Sequence, residues 1–208
     1  MEDFISISGR KITLTAERSA QLREQYLGKP VELASLPAGS TFIVGQHEMV
    51  VLEQNGGVTA AIRKELLHES MRFGDNNNFC RSSVDNACME FADELFEAVG
   101  RDNLVLHTVD LTSDDGLKDY KAVDRYVSLL TADQYRKWVE ILDLYKVDAW
   151  WWLATPYSTA RHENDRWVKC VAPSGDVFNG YYGSDRYGGG SFGVRPFCIF
   201  ESSIFVSC

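Results

Sequence analysis

The chain has 208 residues, 45% hydrophobic and 25% charged, and this globular composition excludes a disordered or fibrous protein. Its formal net charge of -9 opposes binding to nucleic acid or to an anionic membrane surface, because both partners reward clustered Lys and Arg. The length fits one compact domain with a small N-terminal appendage.

The chain begins with acidic residues and lacks a basic segment followed by an apolar run, so we expect no signal peptide. No apolar stretch approaches the roughly 20 residues that a membrane span needs. The cysteines are odd in number and lack CxxC spacing, which predicts reduced, mostly buried side chains rather than a disulfide framework or a zinc site. They are Cys80, Cys88, Cys170, Cys198 and Cys208.

The N-terminal segment predicts a hairpin followed by a helix. Residues 4–8 and 11–15 alternate in polarity around Gly9, which is typical of two short paired strands. Thr15 can cap a helix over residues 16–26, which Gly28 and Pro30 would end. We therefore assign residues 1–35 to an appendage and residues 36–208 to the main domain.

The main domain begins with a predicted meander. Residues 41–44, 48–53 and 58–62 are apolar, β-branched runs, and the Gln-Asn-Gly-Gly sequence at residues 54–57 predicts a tight turn. Strands are predicted again from residue 150 to residue 205. Together with the two helices described next, these strands predict an α+β fold with antiparallel sheets.

Two amphipathic helices separate these strand regions. Residues 86–99 form the first, ended by Gly100, and residues 131–145 form the second, capped by Thr131. Helical spacing predicts one inward face on each. For the first helix these residues are Met89, Ala92, Leu95, Phe96 and Val99, and for the second they are Tyr135, Trp138, Val139 and Leu142.

Catalytic and metal-binding patterns are weak. The histidines, His47, His68, His107 and His162, lie far apart and have no metal-type spacing, so we interpret them as surface or strand residues. The aspartates at positions 110, 114, 115 and 119 lack the order of a calcium-binding loop and predict a solvated loop. The sequence therefore predicts no catalytic residue, no metal and no cofactor.

Two segments are rich in aromatic residues. The three consecutive tryptophans at residues 150–152 predict core packing. Residues 176–192 interleave aromatic rings with Gly, Ser, Asn, Asp and Arg and contain no Lys, Glu, Gln, Met or Trp. That mixture is typical of antibody binding loops, where Tyr gives rigid contact area and small polar residues give adaptable hydrogen bonds.

We predict that residues 176–192 bind a ligand. The residues expected to provide contact area are Phe178, Tyr181, Tyr182, Tyr187 and Phe192. The residues expected to orient the ligand are Asp176, Asn179, Ser184, Asp185, Arg186 and Ser191. A surface loop without a function is the alternative interpretation of the same composition.

Five short motifs resemble an uncharacterised domain family of gut bacteria and their prophages. They are Asn-Asn-Asn-Phe at 76–79, Val-Ser-Leu-Leu-Thr at 127–131, Trp-Trp-Leu-Ala-Thr-Pro at 151–156, Lys-Cys-Val-Ala-Pro-Ser-Gly at 169–175 and Gly-Val-Arg-Pro-Phe-Cys-Ile at 193–199. The resemblance covers residues 36–206. The family is similar to the C-type-lectin-like fold of formylglycine-generating enzymes and to variable proteins of diversity-generating retroelements.

The resemblance implies a C-type-lectin-like scaffold that carries a diversified surface. In such retroelements, errors at adenines rewrite Asn-type codons near the 3′ end of the gene, and every residue from 176 to 192 belongs to the set reachable in this way. A variable region of about residues 151–195 follows, with Trp151 and Arg195 in its invariant framework. Arg195 is expected to make a buried hydrogen-bonded or ionic contact.

The resemblance implies a non-enzymatic ligand-binding or receptor-binding protein of a phage, prophage or bacterial host. Its partner would be a protein or a glycan on a cell surface. The protein would be made in the bacterial cytoplasm, and both virion association and homo-oligomerisation are open alternatives. Two alternatives remain: a phage or prophage tail protein, and an enzyme of the formylglycine-generating type, which would need a copper-binding cysteine pair.

Overall fold

The computed structural model describes residues 4–7, 10–13, 15, 17–18, 30–183 and 192–208. The predicted N-terminal hairpin is confirmed, because β1 (Phe4–Ile7) pairs antiparallel with β2 (Arg10–Thr13). The backbone amide of Arg18 donates to Oγ1 of Thr15 at 3.2 Å, as expected for a helix cap. Most of the predicted helix over residues 16–26 lies outside the described residues.

The remaining described segments form thirteen further strands and three α-helices. The strands are β3 (Val31–Glu32), β4 (Thr41–Val44), β5 (His47–Asn55), β6 (Val58–Arg63), β7 (His107–Asp110), β8 (Ala122–Arg125), β9 (Val127–Ser128), β10 (Trp150–Pro156), β11 (Trp167–Val171), β12 (Val177–Tyr181), β13 (Phe192–Gly193), β14 (Phe197–Glu201) and β15 (Phe205–Val206). The helices are α1 (Ser83–Val99), α2 (Ala132–Lys137) and α3 (Val139–Leu144).

Two larger sheets organise these strands. One has the order β4-β5-β6-β14-β9, and the other has the order β12-β11-β10-β13. The first contains the predicted meander, with β4, β5 and β6 paired in sequence and the turn at Gly56 and Gly57 between the last two. Pairing is antiparallel except between β10 and β13, which run parallel. The fold is α+β, as the sequence predicts.

Helix α1 begins and ends near its predicted limits. The Ser82 side chain accepts a hydrogen bond from the Asp85 backbone amide at 3.1 Å, and Gly100 follows the last turn with a φ of 85°. The predicted inward face is partly wrong, since Met89 is exposed while Cys88 and Phe91 are fully buried. Asp85, also buried, holds Arg125 through two hydrogen bonds of 2.7 and 2.8 Å.

The second predicted helix is interrupted at Trp138. Thr131 and Gln134 form a reciprocal capping box at the start of α2, but Trp138 has φ -112° and ψ 19°, and α3 begins only after it. Tyr135, Trp138 and Leu142 are buried as predicted. The prediction for Val139 is wrong, because the change of direction at Trp138 leaves this residue exposed.

The four-stranded sheet separates two hydrophobic clusters. Side chains alternate along a strand, so Trp152 packs into the larger cluster while Trp151 and Leu153 pack into the smaller one beside α2 and α3. The predicted core role is confirmed for Trp151 and Trp152, whereas Trp150 is only half-buried. Because packed side chains cover both faces of its central strand, this sheet rigidly supports the side chains of its outer strand, β12.

The domain boundary lies earlier than predicted. Strand β3 pairs with β15, and the Leu33 amide donates to the Ile204 carbonyl at 2.8 Å. Leu33 is fully buried in the larger cluster. Residues 31–35 therefore belong to the main domain rather than to the appendage, because the chain places an apolar side chain and a strand there.

The described helices include none with both the length and the apolar character that crossing a bilayer demands.

Candidate functional site

The segment from residue 167 to residue 181 folds as a hairpin of β11 and β12. Its turn is closed by hydrogen bonds from Gly175 to the Ala172 carbonyl and from Ala172 to the Asp176 carbonyl, both 2.9 Å. Gly175 has a φ of 94°, where a side chain would be strained. The Tyr135 hydroxyl donates to the Gly175 carbonyl at 2.6 Å, which ties the turn to α2.

Strand β12, an outer strand of its sheet, lies within residues 150–205, where the sequence predicts strands, although its composition resembles that of binding loops. Gly180 explains how such a sequence becomes a strand. A Cβ at this position would lie 2.6 Å from the Trp152 ring and 2.9 Å from the Phe192 ring. The glycine therefore lets β12 lie directly against two buried rings, and this close approach fixes the strand in place.

Five aromatic side chains lie close together at the outer end of this sheet: Trp150, Trp167, Phe178, Tyr181 and Tyr182. We call this group the aromatic edge. Trp167 is 40% exposed and Phe178 48% exposed, while the others are half-buried. Single exposed apolar side chains are ordinary on a protein surface, whereas a contiguous apolar patch is a feature of surfaces that contact other molecules.

The aromatic edge has two sides because side chains alternate along each strand. On one side, Phe178 meets Trp150 edge-on at a centroid distance of 5.3 Å. On the other, Trp167 meets Tyr181 at 6.1 Å. Tyr182 lies 4.8 Å from Tyr181, and the hydrogen bond between their hydroxyls raises the pKa of Tyr182.

The predicted ligand-binding residues fall into three groups. Asp176, Phe178 and Asn179 are exposed, and Tyr181 and Tyr182 are half-buried on the same hairpin. The second group, Ser184, Asp185, Arg186, Tyr187 and Ser191, lies outside the described residues. Phe192 forms the third group.

Phe192 is buried, which differs from the exposed contact role that the sequence suggested. Its ring stacks on the Trp152 ring at a centroid distance of 4.1 Å and an interplanar angle of 18°. It is held there because β13 pairs beside β10, which places residue 192 on the side of the sheet that faces the larger cluster. In this structure Phe192 is therefore part of the support for β12.

Arg195 makes buried hydrogen bonds beside the four-stranded sheet, as the resemblance implies. It is 1% exposed, and its guanidinium donates to the carbonyls of Arg63, Lys64 and Tyr145, each at 2.9 Å. The same group lies 5.4 Å from the Trp151 ring. Burial lowers the pKa of Arg195 to about 10, so the side chain stays charged at neutral pH.

A polar cavity of about 330 Å³ lies beside the aromatic edge. Its lining comprises Asp114, Asp115, Tyr157, Ser158, His162 and Asn164. The Tyr157 amide donates to the Trp167 carbonyl at 3.0 Å, so the cavity and the exposed tryptophan share one stretch of backbone. The Lys169 ammonium group lies 3.2 Å from Asp114 and 5.9 Å from the Tyr157 ring.

The acidic loop beside the cavity is held by hydrogen bonds. Asp115 accepts from the hydroxyls of Ser113 and Ser158 at 2.5 and 2.6 Å and from His162 at 2.9 Å. These donors lower the pKa of Asp115 well below the usual range. Asp119 binds Thr159 and Arg161. The loop is thus fixed against the β10–β11 connection, more firmly than the solvated loop that the sequence predicts.

Sequence reasoning did not select Trp150, Tyr157 or Trp167 as surface residues. The pattern that could have found Trp167 is the Ala-Pro-Ser-Gly-Asp turn at residues 172–176, which predicts a hairpin. Counting back from that turn places residue 167 opposite residue 181, which is the observed register. Tyr157 has no comparable local signature.

The cysteines and histidines behave as predicted in outline. All five cysteines are free, and Cys88, Cys170 and Cys198 are buried. Burial raises the pKa of all three thiols, that of Cys170 to about 12. His47 and His107 are buried strand residues, whereas the other two histidines are exposed.

Within the described ranges, no group of three or more His, Cys, Asp or Glu side chains is placed to hold a metal ion. No protein-family model, curated protein or solved structure matches this chain.

Proposed function

We propose that this chain is a ligand-binding protein whose aromatic edge contacts its partner, on a C-type-lectin-like scaffold diversified by a retroelement. The observation that carries the proposal is the exposure of Trp167 and Phe178 on a hairpin whose neighbours in the sheet are buried. Tryptophan, tyrosine and phenylalanine are enriched at binding surfaces because they offer large contact areas at low entropic cost.

The division between exposed and buried residues also supports diversification. Trp151 and Arg195, which the resemblance assigns to an invariant framework, are buried and lie against each other. Phe178 and Asn179, which it assigns to the variable part, are exposed. Substitutions at exposed positions cost little stability, so a scaffold divided in this way tolerates many surface sequences.

The partner we propose is a protein or glycan on a cell surface, in keeping with a phage, prophage or bacterial source. The polar cavity beside Trp167 extends the surface with hydrogen-bonding groups from Asp114, Tyr157 and Asn164. Specific ligand-binding sites usually combine apolar contact area with a few precisely placed polar groups.

The chemistry of the cysteine thiols also favours a non-enzymatic role for the protein. Nucleophilic and metal-binding cysteines act as thiolates, which requires a low pKa. The buried cysteines Cys88, Cys170 and Cys198 have raised pKa values, so they stay protonated at neutral pH. This environment favours packing over the copper chemistry of a formylglycine-generating enzyme.

Binding can be tested on arrays of purified cell-surface proteins and glycans. We expect the triple variant Trp167→Ser, Phe178→Ser, Tyr181→Ser to lose at least about tenfold in affinity for any array partner, since aromatic hot-spot residues contribute about 2 kcal/mol or more. Phe205→Ser is the matched control, because Phe205 is 71% exposed on β15. A partner bound equally well by the triple variant and the wild type would refute the proposed surface.

Diversification has its own test in the source genome. We expect a reverse transcriptase gene near this gene and a near-copy of its 3′ end that differs only where the copy has adenine. Among related strains, the exposed residues Asp176, Phe178 and Asn179 should vary while Trp151 and Arg195 stay constant. A genome without such a copy would remove the diversification claim and leave the binding proposal standing.

A further inference from the structure

The connection between β10 and β11, residues 157–166, forms most of the polar cavity. Four of the six lining residues lie on it: Tyr157, Ser158, His162 and Asn164. Trp167 follows it directly as the first residue of β11. The path of this connection therefore decides both the shape of the cavity and the place where Trp167 enters the sheet.

The pairing of β10 with β11 is irregular beside this connection. Trp152 pairs with Cys170 and Pro156 pairs with Val168, so four steps along β10 correspond to only two along β11. Such an irregularity leaves part of the ladder without its regular hydrogen bonds. Contacts from outside the sheet must therefore help to hold the connection in place.

The side chain of Asn77 joins the two ends of the connection. Asn77 is fully buried and lies in the segment between β6 and α1. Its Nδ2 atom donates to the Ser158 carbonyl at 2.8 Å and to the Trp167 carbonyl at 3.1 Å. Its Oδ1 atom accepts from the Tyr120 hydroxyl at 2.6 Å. One side-chain amide thus uses both of its donors and its acceptor on segments that are distant in sequence.

Tyr120 fixes the orientation of the Asn77 amide. A hydroxyl proton is accepted by the amide oxygen and not by the amide nitrogen, so this contact directs Nδ2 towards the connection. Burial raises the pKa of Tyr120, so the hydroxyl stays protonated and can donate at neutral pH. The reverse orientation would place the amide oxygen against two carbonyl oxygens. All three partners of Asn77 therefore favour the orientation that bridges Ser158 and Trp167.

Trp167 and the polar cavity lie on the same side of the sheet. Side chains alternate along a strand, so Lys169 points to the same side as Trp167. The Lys169 ammonium group lies 3.2 Å from Asp114, which lines the cavity. A ligand on this side can therefore contact the Trp167 ring and the polar groups together, provided that the connection keeps its path.

We propose that Asn77 is a positioning residue for ligand binding, because its amide holds the connection so that Trp167 and the polar cavity form one binding surface. Asn77 is fully buried and does not reach the ligand itself. It acts through the Ser158 and Trp167 carbonyls, and the Trp167 carbonyl also accepts from the Tyr157 amide at 3.0 Å. The inference rests on the proposed function for its ligand, whereas the positioning effect can be measured without one.

Hydrogen exchange of the full chain tests the positioning effect without a ligand. We expect Asn77→Leu to speed amide exchange in residues 157–167 at least about tenfold more than in β5 and β14, because a lost buried hydrogen bond first opens the segment that it held. Asn103→Leu is the matched control, since the Asn103 amide donates to the Val99 carbonyl at 2.6 Å, at the end of α1. A merely structural role would speed exchange throughout the protein, so uniform acceleration or none would overturn the inference.

Tyr120→Phe is a milder variant, because it keeps both Nδ2 hydrogen bonds of Asn77 and removes only the hydroxyl that orients the amide. We expect it to speed exchange in the same residues by about threefold, with little change in β5 and β14. This variant decides the question if Asn77→Leu does not fold, since exchange at the wild-type rate in residues 157–167 would then contradict the inference.

Affinity for a partner found on the arrays tests the effect on binding. We expect Asn77→Leu to weaken this affinity at least about tenfold and Asn103→Leu to change it less than about twofold, because a surface that is no longer held in place must be ordered on binding. A partner that loses affinity in the triple variant of the aromatic edge but not in Asn77→Leu would overturn the inference and keep the proposed function. A partner that neither variant affects would overturn both.

Discussion

His107 is a buried ionisable residue at the start of β7, away from the aromatic edge. Its Nε2 atom lies 2.9 Å from the Ser128 hydroxyl, and its ring meets Phe197 edge-on at 5.2 Å. Burial lowers the pKa of His107 from 6.5 to about 4. The folded protein therefore resists protonation of this ring, which the unfolded chain accepts readily.

We expect this difference to make the fold sensitive to acid. The stabilising effect is complete above the unfolded pKa of 6.5 and is lost as the pH falls towards the folded value of about 4. The loss from this residue is up to about 3 kcal/mol of unfolding free energy, at about 1.4 kcal/mol per pKa unit. Urea unfolding at pH 7 and pH 4 measures it.

The variant His107→Gln should be less stable at pH 7 but lose less stability between pH 7 and pH 4 than the wild type. His68→Gln is the control, because His68 is exposed and should keep the wild-type dependence. An unchanged pH dependence in His107→Gln would mean that other groups cause the acid sensitivity.

Residue roles that depend on local chemistry were predictable, and roles that depend on packing partners were not. The capping role of Thr131 and the burial of Arg195 follow from the sequence pattern and from the resemblance. The burial of Phe192 does not, because it depends on β13 lying beside Trp152. For an aromatic residue among glycines, the sequence pattern does not distinguish an exposed side chain from a buried one.

At the scale of elements, α1 shows which boundaries a sequence can determine. Ser82 is buried at its cap position and accepts one hydrogen bond from the first turn, whereas Ser83 is exposed in that turn. The cap satisfies an amide that the helix itself cannot bond. Both serines stand in the same sequence context, so they form a matched pair.

We expect Ser82→Ala to reduce the free energy of unfolding by about 1 kcal/mol, because the Asp85 amide loses its acceptor. Ser83→Ala should change it by less than about 0.5 kcal/mol, as is usual for exposed positions. Chemical denaturation of the two variants gives both numbers. Similar losses in the two variants would show that the hydrogen bond to Ser82 contributes nothing measurable.

The inward faces of the helices were harder to predict than their ends. Met89 and Val139 fit an apolar stripe in sequence, yet both are exposed. The face of α1 is set by the sheet beneath it, which brings Cys88 and Phe91 inward. For Val139 the cause is the break at Trp138, and no proline or glycine marks that position in the sequence.

At the scale of the whole molecule, the last strand holds the segment that precedes the meander. Leu33 is fully buried, its amide bonds the Ile204 carbonyl, and its carbonyl accepts from the Gln54 side chain at 2.9 Å. The sequence placed this segment in the appendage because residues 31–35 are too short to show a periodic pattern. Contacts between distant parts of the chain decide the boundary.

Two truncations test that boundary. A chain that starts at residue 36 should be less stable than one that starts at residue 30 by at least about 3 kcal/mol, because removing a buried leucine alone costs 2–5 kcal/mol. Thermal and urea unfolding of both chains give the difference. Equal stability would restore the boundary predicted from the sequence.

The pairing of β3 with β15 has a consequence for topology engineering. Val31 lies opposite Val206, so the first and last strands of the domain are immediate neighbours. A linker of a few residues could join residue 208 to residue 30, and new ends could be opened at the exposed turn of residues 55–57. The resulting circular permutant would keep every sheet formed by residues 30–208 while its chain runs in a different order.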